Sequence, residues 1–77
     1  MKLTVLWSED AERLLLAMAP TEAERIVNAT VRLADEKTGF VRRMLDGSME
    51  RRLYIEGWIV TFTVDRSVMY VWRIDPR

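Results

Sequence analysis

Residues 50–74 read ERRLYIEGWIVTFTVDRSVMYVWRI, and this segment carries the clearest secondary-structure signal in the chain. It is rich in β-branched and aromatic residues, which strands prefer, and its polarity alternates with a period of two. Gly57 and the polar residues 65–67 interrupt the alternation. Three runs with short connections predict an antiparallel meander of strands over 50–56, 58–64 and 68–74.

The first half of the chain predicts one strand followed by two helices. Residues 2–7 alternate like a strand, and Ser8 then has the position of a helix N-cap. Pro20 is expected to end this first helix. Thr21 and Glu24 have the spacing of a capping box, which predicts a second helix beginning there.

Residues 40–49 are the least regular part of the sequence. We expect a short amphipathic turn here from Phe40, Val41, Met44 and Leu45, and a β-turn at Asp46-Gly47-Ser48. The order of elements is then β-α-α-β-β-β. It predicts a single α+β domain over 1–77, with a helical hairpin packed on one face of a four-stranded, mainly antiparallel sheet.

The composition excludes much familiar enzymology. The 77 residues include no cysteine and no histidine, so there is no disulfide, no thiol nucleophile and no histidine base. The carboxylates show no metal-ligand spacing, and we expect no metal and no cofactor. Twelve basic and twelve acidic side chains cancel. No apolar run approaches the 18 residues of a membrane span, so we expect no membrane contact. A small domain without disulfides suits a reducing compartment, and we therefore expect a cytoplasmic protein.

Two helices can cover only one face of such a sheet, and strand alternation predicts which residues lie on each face. The helix-facing set is Leu53, Ile55, Val60, Phe62, Val64, Val68, Tyr70, Trp72 and Ile74. The opposite set is Arg52, Tyr54, Ile59, Thr61, Thr63, Met69, Val71 and Arg73, with Arg77 beyond the last strand. An open antiparallel face that combines cations, hydroxyls and apolar groups can serve as a binding surface.

Other residues are interpreted as structural. Arg42 and Arg43, beside Arg51 and Arg52, form either a local phosphate patch or, as we favour, solvated charges near a turn. The phase of Trp7 and Trp72 in their apolar stripes favours core packing over stacking on bases.

Four short motifs occur in a characteristic order along the chain. An apolar strand runs into Trp-Ser-x-x-Ala at 5–11, VLWSEDA, and a leucine-glycine loop at 45–48, LDGS, leads into the basic strand at 51–53, RRL. The segments 57–65, GWIVTFTVD, and 74–77, IDPR, follow. In this order the motifs resemble the RelE/ParE superfamily, the toxins of bacterial type II toxin–antitoxin systems. Segment 57–65 resembles the family's central strand, and 74–77 resembles the end of its last strand, where arginine is usual.

The resemblance implies a toxin that inhibits translation by ribosome-dependent mRNA cleavage, an mRNA interferase, with a cognate antitoxin, the ribosome and mRNA as partners. In a chain without histidine, Tyr54 is the candidate for proton transfer, and Arg52, Arg73 and Arg77 are candidates for stabilising the phosphate. Arg52 and Arg77 match basic positions of the family. Tyr54 and Arg73 are nominated by strand alternation alone, and all four also fit a solvated strand surface.

Departures from the family pattern leave other functions open. Ile59 occupies the position where the family's central strand usually has arginine, and the sequence ends at Arg77, before the family's C-terminal tyrosine. A non-catalytic, ParE-like toxin that binds DNA gyrase needs no catalytic set. A degenerate toxin that only binds its antitoxin is the third alternative.

Overall fold

The computed structural model describes residues 2–43 and 49–77, which form an α+β fold of two helices and a five-stranded mixed sheet. The elements are β1 (Thr4–Trp7), α1 (Glu9–Ala17), α2 (Pro20–Glu36), β2 (Phe40–Arg43), β3 (Arg51–Ile55), β4 (Trp58–Asp65) and β5 (Val68–Pro76). The strand order is β1-β5-β4-β3-β2. β1 runs parallel to β5, and the other neighbours are antiparallel. β3, β4 and β5 form the predicted meander.

The strand β2 corrects the prediction of a four-stranded sheet. Residues 40–43 pair with β3, with Val41 opposite Leu53, where an amphipathic turn was expected. Val41 packs against the core from this strand, and the pairing satisfies backbone groups that β3 would otherwise expose along an edge. Met44, Leu45 and the predicted turn at Asp46-Gly47-Ser48 lie outside the described residues.

The helix α1 begins as its sequence predicts. The Ser8 side chain accepts a hydrogen bond from the Ala11 amide at 3.1 Å, so Ser8 is the N-cap. The same hydroxyl donates to the carbonyl of Trp72 at 2.7 Å, which attaches the start of α1 to β5. The helix ends at Ala17, before Pro20, as expected.

The start of α2 differs from the predicted capping box. Ala19 is the N-cap, Pro20 is the first helical residue, and no side chain caps the helix, so the predicted role of Thr21 is wrong. Proline suits this position because its φ is already helical and the amide that it lacks has no partner in a first turn. Lys37 ends the helix in a left-handed conformation with φ 58°. Gly39, a residue type that often ends helices, lies two residues further on and is not the stop.

The core lies between the helices and one face of the sheet. Its buried apolar residues are Ala11, Ile26, Ala34, Leu53, Ile55, Val60, Phe62, Met69, Val71 and Ile74. The indole Nε1 of Trp58 donates to Glu22 Oε2 at 2.8 Å, which ties α2 to β4 at the edge of this layer. Neither helix in the described part of the chain is long and apolar enough to cross a membrane.

A β-bulge in β5 corrects the predicted division of the sheet into two faces. Phe62 lies opposite Val71, and the register then shifts so that Thr61 lies opposite Arg73, which leaves Trp72 as the extra residue. Side-chain alternation changes phase across such a residue. Met69 and Val71, expected on the open face, are therefore buried under the helices. Conversely, Val68, Tyr70 and Trp72, expected to face the helices, lie on the open face, whereas Arg73 and Ile74 keep their predicted faces.

Candidate functional site

A row of three arginines crosses the open face of the sheet. In the strand register, Arg42 of β2 lies opposite Arg52 of β3, which lies opposite Thr61 of β4, which lies opposite Arg73 of β5. Neighbouring strands are about 4.8 Å apart, so these four residues, which we call the arginine row, extend over roughly 14 Å. Four different strands position it, and the sheet therefore fixes the spacing of its cations.

The arginine row brings together like charges and two buried polar atoms that lack hydrogen-bond partners. Like charges directly opposite each other on neighbouring strands, as Arg42 and Arg52 are, destabilise a sheet. In the described part of the chain, the two buried side-chain polar atoms without a hydrogen-bond partner are Nε of Arg52 and Oγ1 of Thr61. A buried polar group that lacks a partner is expensive. A bound anion would relieve the repulsion between the two arginines.

Tyr54 lies next to the arginine row, under two guanidinium groups. The guanidinium carbon of Arg77 is 5.2 Å from the centroid of the Tyr54 ring, and that of Arg42 is 5.9 Å away. Both distances fall in the range of cation–π contacts. Arg77 is anchored by its amide, which donates to the Gly57 carbonyl at 3.0 Å, and by Nη1, which donates to the Ile55 carbonyl at 3.4 Å.

Two aromatic rings adjoin the arginine row on its other side. The rings of Trp72 and Tyr70 are stacked, with centroids 4.3 Å apart and an interplanar angle of 24°. The indole Nε1 of Trp72 donates to Oγ1 of Thr63 at 2.8 Å, yet the residue remains 46% exposed. A shallow depression of about 410 Å³ lies beside these rings, and Asp65 and Ser67 at the β4–β5 turn contribute to its lining.

Although the chain has no net charge, its acidic and basic residues are concentrated in different parts of the fold. The sequence of α1 and α2 contains seven acidic and three basic residues. The remaining positions therefore hold five of the twelve acidic and nine of the twelve basic residues. On the open face, the carboxylate of Asp75 accepts a hydrogen bond from Arg73 Nε at 2.8 Å, and this pair is exposed. The molecule thus has an acidic helical layer and a basic sheet.

The four candidate residues proposed from sequence lie on this one face. Tyr54 and Arg77 are in contact, whereas Arg52 and Arg73 lie in the arginine row with Thr61 between them. Sequence reasoning did not favour Arg42, because it did not predict the strand that carries it.

Trp72 was also missed, since its position in the alternation indicated the core. Strand alternation read from the sequence cannot reveal the bulge that turns this side chain to the open face.

The described part of the chain contains no cluster of acidic residues that could hold a metal ion. The chain matches no protein-family model, and no curated protein matches it either. The open face, with its cations, its tyrosine and its stacked rings, is the candidate functional site.

Proposed function

We propose that this chain is a RelE-like toxin of a type II toxin–antitoxin system that acts in the cytoplasm. In this proposal its open face binds mRNA on the ribosome and promotes cleavage of the RNA strand, and a cognate antitoxin neutralises it. The carrying observation is the arginine row beside Tyr54. The order of the helices and of the three-stranded meander, together with the motifs at 5–11 and 57–65, supports the family assignment.

The arginine row supplies the electrostatic part of the reaction. Guanidinium groups bind phosphate oxygens through two parallel hydrogen bonds, and they stay protonated at neutral pH. When a 2′-hydroxyl attacks the neighbouring phosphorus, negative charge accumulates on the phosphate oxygens, and fixed cations stabilise that charge. Removal of one such donor typically slows a reaction about 10²- to 10³-fold.

Tyr54 is assigned to proton transfer. The 2′-oxygen forms a bond to phosphorus while the bond from phosphorus to the 5′-oxygen breaks, which yields a 2′,3′-cyclic phosphate and a free 5′-hydroxyl. One proton leaves the 2′-hydroxyl and one reaches the departing oxygen. Tyr54 is the candidate for one of these transfers. Ile59, which replaces the family's arginine, lies directly opposite Tyr54, and Arg42 of β2 supplies a guanidinium over the same ring.

Induction of the chain in growing cells, followed by primer extension on a reporter mRNA, tests this function. We expect growth arrest with new cleavage sites inside translated codons, and a loss of cleavage of about 10²-fold or more in Arg52→Ala, Arg77→Ala and Tyr54→Phe. Arg13→Ala is the matched control, because Arg13 lies on α1 and pairs with Glu9 at 2.9 Å. Unchanged cleavage in both Arg52→Ala and Arg77→Ala would contradict the catalytic role.

The balanced charge and Ile59 favour one alternative, a toxin that binds DNA gyrase without catalysis. Growth arrest without mRNA cleavage, together with inhibition of purified gyrase at micromolar protein, would identify this function. If induction does not arrest growth but the chain still binds the antitoxin encoded next to it, the chain is a degenerate toxin.

For the antitoxin we infer a second surface, on the helix side of the sheet. A cleft of about 460 Å³ lies between the C-terminal end of α2 and the strands, and its apolar lining includes Leu33, Phe62 and Met69. Its cations are Lys37, Arg51 and Arg66. An acidic amphipathic segment of the antitoxin is complementary to this combination.

Charge reversal tests the cleft as the antitoxin site. We expect the double variant Lys37→Glu, Arg66→Glu to bind the antitoxin at least 10-fold more weakly by calorimetry. The double variant Arg13→Glu, Arg25→Glu is the control, because it adds the same negative charge on the helices, outside the cleft. Equal weakening by both variants would show that overall charge, and not this cleft, governs the interaction.

A further inference from the structure

We propose that Trp72, supported by Tyr70, is a stacking platform that takes one base of a single-stranded RNA whose phosphates lie on the arginine row. This inference rests on the proposed function, because it names how the RNA is held on that face. It assigns to Trp72 a binding role that neither the family motifs nor the catalytic proposal includes.

The platform is already formed in the free protein. The Trp72 ring stacks on Tyr70 with centroids 4.3 Å apart, and its Nε1 donates to Thr63 Oγ1 at 2.8 Å. The Trp72 carbonyl accepts from the Ser8 hydroxyl at 2.7 Å, which holds the backbone at the bulge. Because the Tyr70 ring, the hydrogen bond to Thr63 and the backbone already fix this indole, it loses little conformational entropy when a ligand stacks on it.

The exposed surface of Trp72 indicates a ligand of aromatic character. At 46% exposure, this large apolar ring remains accessible to solvent although a core lies on the other side of the sheet. Proteins that bind single-stranded nucleic acid use such rings as stacking surfaces, and the contact is tolerant of sequence because every base has a π-face. The bulge is what turns this ring outward, since regular alternation would place it under the helices.

The position of the platform next to the arginine row favours RNA over a protein partner. Trp72 directly precedes Arg73, so the stacking surface and the row of cations are contiguous on one face. A single strand presents bases and phosphates side by side and matches both at once. Asp65 and Ser67, in the depression beside the rings, can accept hydrogen bonds from the exocyclic amine of a base. Oligoadenylate is therefore expected to bind more tightly than oligouridylate, which lacks that amine.

The test is fluorescence anisotropy of end-labelled hexa-adenylate RNA with the purified chain at low salt. We expect Trp72→Ala to weaken binding about 5- to 150-fold, the range that corresponds to loss of one base stack. Trp72→Phe, which keeps a ring, should recover most of the affinity. Trp58→Phe is the matched control, because the Trp58 indole bonds to Glu22 at the helix layer. Thermal melts of each variant establish that it is folded.

An abasic oligonucleotide of equal length separates stacking from phosphate binding. Trp72→Ala should leave its affinity within about twofold of wild type, while Arg52→Ala should weaken both RNAs. The proposal would be overturned if Trp72→Ala and the wild type bound hexa-adenylate with equal affinity. It would also be overturned if Trp72→Ala weakened binding of the abasic strand as much as binding of hexa-adenylate. No RNA binding by the wild type, with a Trp72-dependent effect on antitoxin binding instead, would make the ring a protein contact and would also overturn it.

Failure of the stacking platform can be distinguished from failure of the proposed toxin function. Trp72-dependent binding without mRNA cleavage in cells would retain the platform and reject the toxin activity. Cleavage that is unchanged in Trp72→Ala would retain the activity and reject the platform.

Discussion

Arg77 places its guanidinium carbon 5.2 Å from the centroid of the Tyr54 ring, although β4 separates the strand before Arg77 from the strand that carries Tyr54. The contact is possible because the Arg77 amide bonds to the Gly57 carbonyl at the β3–β4 turn. The turn thus positions a cation of the candidate site. A change in the turn should therefore affect both stability and the site.

Glycine substitutions at two positions of positive φ should differ in their cost. Gly57 has φ 85° and no atom within 4 Å of an added Cβ, so Gly57→Ala should cost about 1–2 kcal/mol of the free energy of unfolding from backbone strain alone. Gly39 has φ 148°, and its Cβ would lie 3.0 Å from Leu53 Cδ1, so Gly39→Ala should cost more. Urea unfolding measures both, and the opposite order would contradict the conformations described.

Replacement of Thr61 by valine should stabilise the chain. Thr61 is 1% exposed and its Oγ1 has no hydrogen-bond partner, so Thr61→Val removes a desolvated hydroxyl from a strand and should raise the free energy of unfolding by about 1 kcal/mol. Thr30→Val is the matched control, because the equally buried Thr30 hydroxyl donates to the Ile26 carbonyl at 2.8 Å. A destabilised Thr61→Val would show that this hydroxyl is bonded in solution.

The hydroxyl of half-buried Ser8 joins two elements, and its removal should be costly. Ser8→Ala loses the cap of α1 and the bond to the Trp72 carbonyl, so we expect a loss of about 1–2 kcal/mol of the free energy of unfolding. Ser67→Ala, at the exposed β4–β5 turn, should change it by less than about 0.5 kcal/mol. Equal effects on urea unfolding would argue against the double role of Ser8.

The salt dependence of RNA binding should report the arginine row. Each phosphate neutralised on a single strand contributes about −0.7 to the slope of log affinity against log salt concentration. Arg42→Ala and Arg52→Ala should each reduce that slope by about 0.7. Arg13→Ala should leave it unchanged, since Arg13 lies on α1. An unchanged slope in all three variants would place the RNA elsewhere.

The sequence predicts those parts of the fold that depend on local chemistry. The Ser8 cap and the three strands of the meander follow from residue type and alternation, and the structure confirms them. The predicted start of α2 was wrong because Pro20, and not Thr21, begins the helix. A proline in the first turn needs no side-chain cap.

The remaining errors arise where a distant partner decides the structure. β2 is a strand because β3 pairs with it, and its sequence, FVRR, does not alternate in polarity. The bulge at Trp72 depends on how β5 aligns with β4, and a single extra residue reverses the faces of every position before it. Sequence alone therefore located Arg52, Tyr54, Arg73 and Arg77 on the open face but missed Arg42 and Trp72.

The parallel pairing of β1 with β5 has a consequence for synthesis. β1 is made before every other strand, yet its partner in the sheet is β5, with Thr4 opposite Val68. The helices and the hairpin of β3 and β4 can form from local contacts, but β1 must wait for a closure that spans most of the chain. The complete open face, and with it the arginine row, therefore exists only after the ribosome has translated through β5.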